Sequence, residues 1–86
     1  MKVLYFASAR DAAGRGEDNI NLNSFSAKGR HPTLDDLLGH LQTLHASLGP
    51  IIETSLVSLN SDYTLETSVE LKDSDEVAII PQVSGG

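Results

Sequence analysis

The residues best placed for chemistry are the last two, in the closing run Val83-Ser84-Gly85-Gly86. Two residues without side chains add nothing to a core, and Gly loses more backbone entropy on ordering than any other residue. Their advantage is steric. A Gly-Gly end passes through a channel too narrow for a Cβ and presents an unhindered α-carboxylate at its tip. With a reference pKa of about 3.3–3.7, that carboxylate is ionised at neutral pH and is a poor electrophile. Chemistry on it requires activation, for instance as an acyl-adenylate. The other reactive side chains form no constellation. His31, His40 and His45 lack the i, i+4 spacing of a helical metal pair, with no Cys or Glu to complete a site. They read as surface or satisfied histidines. Gly14-Arg15-Gly16 is too short for a phosphate loop and has no Lys following it. Asp73, Asp75 and Glu76 lack the ligand count and glycine of a calcium loop, so they read as a solvated turn. No metal site is expected.

Composition narrows the classes further. At 86 residues, 40% hydrophobic and 21% charged, the chain is expected to form one small globular domain. It contains no cysteine, which excludes disulfides, thiolate metal sites and side-chain thioesters. Any sulfur it handles must be held elsewhere than on a thiol side chain. The absence also fits a reducing compartment, and a cytosolic location is expected. The longest apolar run, Val3 to Ala7, is far too short to span a bilayer and leads into no cleavage site, so neither a membrane partner nor a signal peptide is expected. The net charge of −6, with scattered Lys and Arg, argues against a nucleic-acid partner. It favours steering toward a basic protein surface.

The elements that must position the tail are legible in outline. Lys2 to Ser8 is rich in strand formers and reads as a mostly buried strand, followed by a polar, glycine-containing loop over residues 9–17. Asn19 to Asn23 alternates strictly, with Ile20 and Leu22 on one face, and reads as a half-buried strand. Ser26 to His31 is polar loop. Thr33 and Asp36 form an approximate capping box, and Leu34, Leu37, Leu38, Leu41, Leu44 and Leu48 recur as one helical stripe, with Gly49-Pro50 as the stop. Ser55 to Asn60 reads as a strand, Tyr63 to Glu66 as a short one, and Asp73-Ser74-Asp75 as a turn. Glu76 to Ile80 is the last strand, ended by Pro81, which cannot donate to a ladder. The first and last strands are the most apolar and are expected at the sheet centre. From Pro81 the remaining residues extend to about 20 Å, enough to enter another protein's active site. Residues 1–80 thus read as the domain and 81–86 as an extended tail.

This order of strands around one main helix, with a protruding diglycine, resembles the ubiquitin-like β-grasp fold, an α+β architecture with a mixed sheet of about five strands and the helix on one face. Within it, Val3-Leu4-Tyr5-Phe6-Ala7 running on through Arg10 to Gly14 resembles the opening of the small, sulfur-carrier subunits of molybdopterin synthase. Asp75-Glu76-Val77-Ala78-Ile79-Ile80-Pro81 followed by Val83-Ser84-Gly85-Gly86 is similar to that family's last strand and tail, and Leu59-Asn60 with Tyr63 to the segment after its third strand. Gln82 stands where the family often has a second proline, and Ser74 where a Gly is common. Ser74 therefore implies a turn without positive φ.

The resemblance implies that Gly86 is the reacting residue, adenylated by a ubiquitin-activating-type enzyme that consumes ATP, then converted to a thiocarboxylate. It implies that Val83, Ser84 and Gly85 thread the active site of a large catalytic subunit, in a heterotetramer of two large and two small chains. Sulfur would pass there to cyclic pyranopterin monophosphate, with no cofactor bound permanently to this chain. Phe6, Ile80 and Pro81 are expected to dock on partners. Carriers for tRNA thiolation or thiamine synthesis, and ubiquitin-like modifiers of lysines, share the fold. The former usually lack the Ile80-Pro81-x-Val83-Ser84 pattern.

Overall fold

Two strands, β1 (Lys2–Tyr5) and β5 (Glu76–Pro81), run parallel in the middle of a five-stranded sheet. A computed structural model of the chain describes residues 1–25 and 31–82. With β2 (Glu17–Asn19), β3 (Ser55–Leu59) and β4 (Asp62–Tyr63), the strand order is β2-β1-β5-β3-β4. The β1–β5 pair is parallel and the other three pairs are antiparallel. The main helix, α2 (Leu34–Leu44), lies in the crossover from β2 to β3. This is the mixed, α+β, β-grasp sheet, and its first and last strands are central as their composition implies.

The period of two divides the sheet's faces. Val3, Tyr5, Val77 and Ile79 point toward the helices and are all buried. Register places Val57 beside Ile79 and Leu59 beside Val77 on that side. From the helices, Leu34, Leu37, Leu38 and Leu41 of α2 complete the core, with Leu48 and Ile52 of α3 (Leu48–Glu53). Thr33 caps α2 as expected. Its backbone N–H donates to Asp36 Oδ2 at 2.9 Å, and the Asp36 N–H donates to Thr33 Oγ1 at 3.3 Å. Ser74 avoids positive φ. Its turn is closed by the Asp75 N–H donating to the Lys72 carbonyl at 3.0 Å.

Six local expectations are corrected. The leucine stripe does not form one helix: α2 ends at Leu44, which is 49% exposed, and His45 takes an extended conformation. Gly49-Pro50 is not a stop but lies in the first turn of α3, where the missing proline N–H has no helical acceptor anyway. The segment read as loop over 9–17 instead contains helix α1 (Ala7–Ala13), alanine-rich and closed by Gly14 at φ 74°. The strand over 19–23 is displaced to Glu17–Asn19. Asn21 accepts a bond from the Asn23 N–H, and the chain curls there into a 3-10 turn rather than continuing the ladder. Finally, β4 stops at Tyr63, and Pro81 remains in β5 opposite Ser55. The loop read over 26–30 lies outside the described residues.

Candidate functional site: the tail base and the open sheet face

The last strand before the closing residues, β5, is held from both sides, with Tyr5 opposite Ile79 and Ser55 opposite Pro81. Just beyond β1, the Phe6 N–H donates to the Ile79 carbonyl at 3.1 Å, extending that grip by one bond. Ala7 then adopts φ 49°, a left-handed turn that takes the chain out of the sheet and into α1 within one residue. Val83, Ser84, Gly85 and Gly86 lie outside the described residues.

Among the described residues, no helix covers the far side of the sheet. There Leu4, Ala78, Ile80 and Ser58 meet the ring of Tyr63 and the exposed Phe6, around a depression of about 260 Å³ also lined by Ser61 and Glu76. This volume falls below the ~300–1,000 Å³ of ordinary small-molecule pockets, and the depression is shallow. The surface suits side chains of another protein better than a cofactor. Two of the three expected docking residues, Phe6 and Ile80, are brought together in this depression. Pro81 is not among its lining residues and is half-buried at the strand end. Leu4, Tyr63 and Glu76 were missed as members. Period-two counting outward from Ile80 finds Glu76, but Leu4 and Tyr63 depend on strand order.

A second cluster ties the sheet edge to the helices. The Asp18 carboxylate is buried, accepting from Tyr5 Oη at 2.9 Å and facing His45 Nε2 at 2.8 Å, with Arg15 at 3.1 Å from its other oxygen. Burial alone pushes the Asp18 carboxyl up. The hydrogen bonds of His45 and Tyr5 and the charge of Arg15 outweigh it, holding the group below its ordinary value. Burial first, and the neighbouring carboxylate second, push the Tyr5 hydroxyl well above its ordinary range, so it remains a protonated donor. His45, read as a satisfied histidine, is one. His31 is exposed, and His40 stacks on Phe25 with ring centroids 5.5 Å apart. Among the described residues, no group of His, Asp and Glu side chains is arranged to hold a metal ion. No described helix is long and apolar enough to cross a membrane.

The profile of the ThiS family matches residues 3–86, almost the whole chain. The chain belongs to the ThiS family. It is 41% identical to a relative from Chlamydomonas reinhardtii named molybdopterin synthase sulfur carrier subunit, over 100% of this chain and 98% of that one. The solution structure of small archaeal modifier protein 1 from Methanosarcina acetivorans matches with a TM-score of 0.74 and 30% identity, covering 99% of this chain and 94% of that one. A chain in a complex of subunits 1 and 2 of molybdopterin-converting factor from Helicobacter pylori matches with a TM-score of 0.69. At 22% identity over 99% of this chain and 96% of that one, this likeness shows the fold alone. The resemblance drawn from the two ends of the sequence thus extends over its full length.

Proposed function

We propose that this ThiS-family chain is the sulfur-carrier subunit of a molybdopterin synthase, with sulfur held on the Gly86 carboxyl group. The observation that carries the reading is the full-length 41% identity to a chain of that name. The chemistry of the end supports it. An activating enzyme uses ATP to turn the inert carboxylate into a glycyl-adenylate, an acyl donor. The terminal sulfur of a persulfide then displaces AMP to give an acyl disulfide, and a second thiol of the donor cleaves its S–S bond, leaving a thiocarboxylate on Gly86 and a disulfide on the donor. That group is a nucleophile, and it follows a central strand that is paired on both sides. The tail enters the large subunit, which provides the catalytic side chains, and sulfur passes to cyclic pyranopterin monophosphate. The open sheet face docks beside the channel, with Phe6 and Ile80 as apolar contacts and Pro81 at the base of the arm. The complex between subunits 1 and 2 in the Helicobacter pylori neighbour supports such pairing. Two small and two large chains form the assembly, in the cytosol, where a cysteine-free carrier needs no oxidising environment.

Reconstitution tests the proposal. The chain, its activating enzyme, ATP, a persulfide donor and the large subunit should convert cyclic pyranopterin monophosphate to molybdopterin, and omission of this chain should stop conversion. No conversion with otherwise competent partners would reject the reading. The likeness to an archaeal modifier favours a second reading, conjugation of Gly86 to target lysines. Lysine adducts ending in Gly86, in place of sulfur loading, would select it.

A further inference from the structure

We infer that Glu76 is the charged anchor of the open sheet face, pairing with a lysine or arginine of the protein that receives the tail. Glu76 opens β5, is half-buried, and shares the depression with Leu4, Phe6, Tyr63, Ala78 and Ile80. Its backbone is tied down, with its N–H donating to Asn60 Oδ1 at 2.9 Å and its carbonyl accepting from the Asn60 N–H at 2.7 Å. Its carboxylate makes no hydrogen bond or ion pair among the described residues. The ion pairs of Asp18 lie on the edge strand β2, two strands away from β5.

A protein seated on this apolar surface strips water from the Glu76 carboxylate, and an unpaired buried charge opposes binding strongly. A cation on the incoming surface removes that opposition and fixes register. The net charge of −6 favours a basic partner surface for the same reason. Geometry adds a distance. Glu76 and Ile80 lie on one face, four residues apart on one strand, so the partner's cation sits about 13 Å behind the point where the arm enters it. Such a pair sets how far along the face the partner docks, and hence how deep the tail reaches. Lys2 is in register with Glu76 on the neighbouring strand but does not line the depression, so it is the internal competitor for this role.

The inference rests on the sulfur-carrier reading, and the test separates the two. Affinity of the full chain for the cognate large subunit is measured at about 50 and 300 mM salt, where screening differs. The variants are Glu76→Gln, Glu76→Arg, Lys2→Gln and, as a charge control on the helical side, Asp35→Asn. Glu76→Gln should weaken binding at least about tenfold and flatten the salt dependence, and Glu76→Arg should weaken it further. Lys2→Gln and Asp35→Asn should stay within about twofold, and every melting temperature within about 3 °C of wild type. Sulfur loading of each protein by the activating enzyme is followed in parallel. If wild type loads and binds but Glu76→Gln binds equally well, or Lys2→Gln costs as much as Glu76→Gln, the anchor is overturned and the carrier reading stands. If wild type neither loads nor binds, both fall.

Discussion

Burying a carboxylate costs several kcal/mol unless donors replace the lost water, and at Asp18 the side chains of Tyr5, His45 and Arg15 replace it. Because its folded pKa lies below the ordinary value, the unfolded chain binds the proton more tightly. The stabilisation is therefore complete above an unfolded pKa of about 3.9 and is lost as pH falls through the lower folded value. Asp18→Asn should cost about 1–3 kcal/mol at neutral pH, and the gap to wild type should shrink on acidification below about pH 4. Urea unfolding at pH 7 and pH 3 reads both quantities, and an equal gap at the two would contradict the assignment. None of this cluster was legible beforehand, since its partners on other elements are invisible to local pattern. Gly85 is the opposite case, since its proposed role rests on the sequence alone. On the proposed function, Gly85→Val should leave the melting temperature unchanged while blocking sulfur delivery through a narrow channel. Normal pterin conversion by this variant would remove the steric argument.

Where sequence signals were local, the elements matched. The Thr33–Asp36 box started α2 where expected, and the apolar run from Glu76 to Ile80 formed a central strand. Other signals were overridden. The leucine stripe ran past the true end of α2, because His45 leaves the helix and joins Asp18 through its side chain. Helix α1 went unread because its start uses Ala7 at φ 49°, a conformation sought at glycine, and two glycines follow its end. The β3–β4 connection carries a related strain, with Asn60 at φ 52° and Ser61 at φ 74°. This is the pattern of a two-residue hairpin turn, which prefers Asn-Gly. Asn60 also braces the turn, its side-chain amide donating to Asp75 Oδ1 at 2.9 Å. Ser61→Gly should therefore stabilise the domain by about 0.5–1 kcal/mol, the relief of strain exceeding the added unfolded-state entropy. A thermal melt should show a rise of several degrees, and a fall would refute the strain argument.

At the scale of the whole molecule, one face of the sheet is spent on the core and no described helix covers the other. The exposed edges, β2 and β4, are short and carry Glu17, Asp18 and Asp62, which discourages pairing with other chains edge to edge. The open face, by contrast, is apolar and continuous with the strand that ends in the tail. The fold was thus readable from composition and ends, whereas the depression on the open face needed the strand order, which brings Leu4 and Tyr63 to one surface.

The central claim, that sulfur resides on Gly86, has an unusually direct test because the chain has no cysteine. Exchanging oxygen for sulfur alters mass by nearly the same amount as oxidation of Met1, so intact mass alone misleads. A thiol-selective alkylating reagent meets no side-chain thiolate here and reports the thiocarboxylate alone. After incubation with the activating enzyme, ATP and a persulfide donor, the protein should take up one label, mapped by fragmentation to Gly86 and lost when ATP is omitted. No label with a competent activating enzyme, or Gly86 found joined to a lysine instead, would contradict the account.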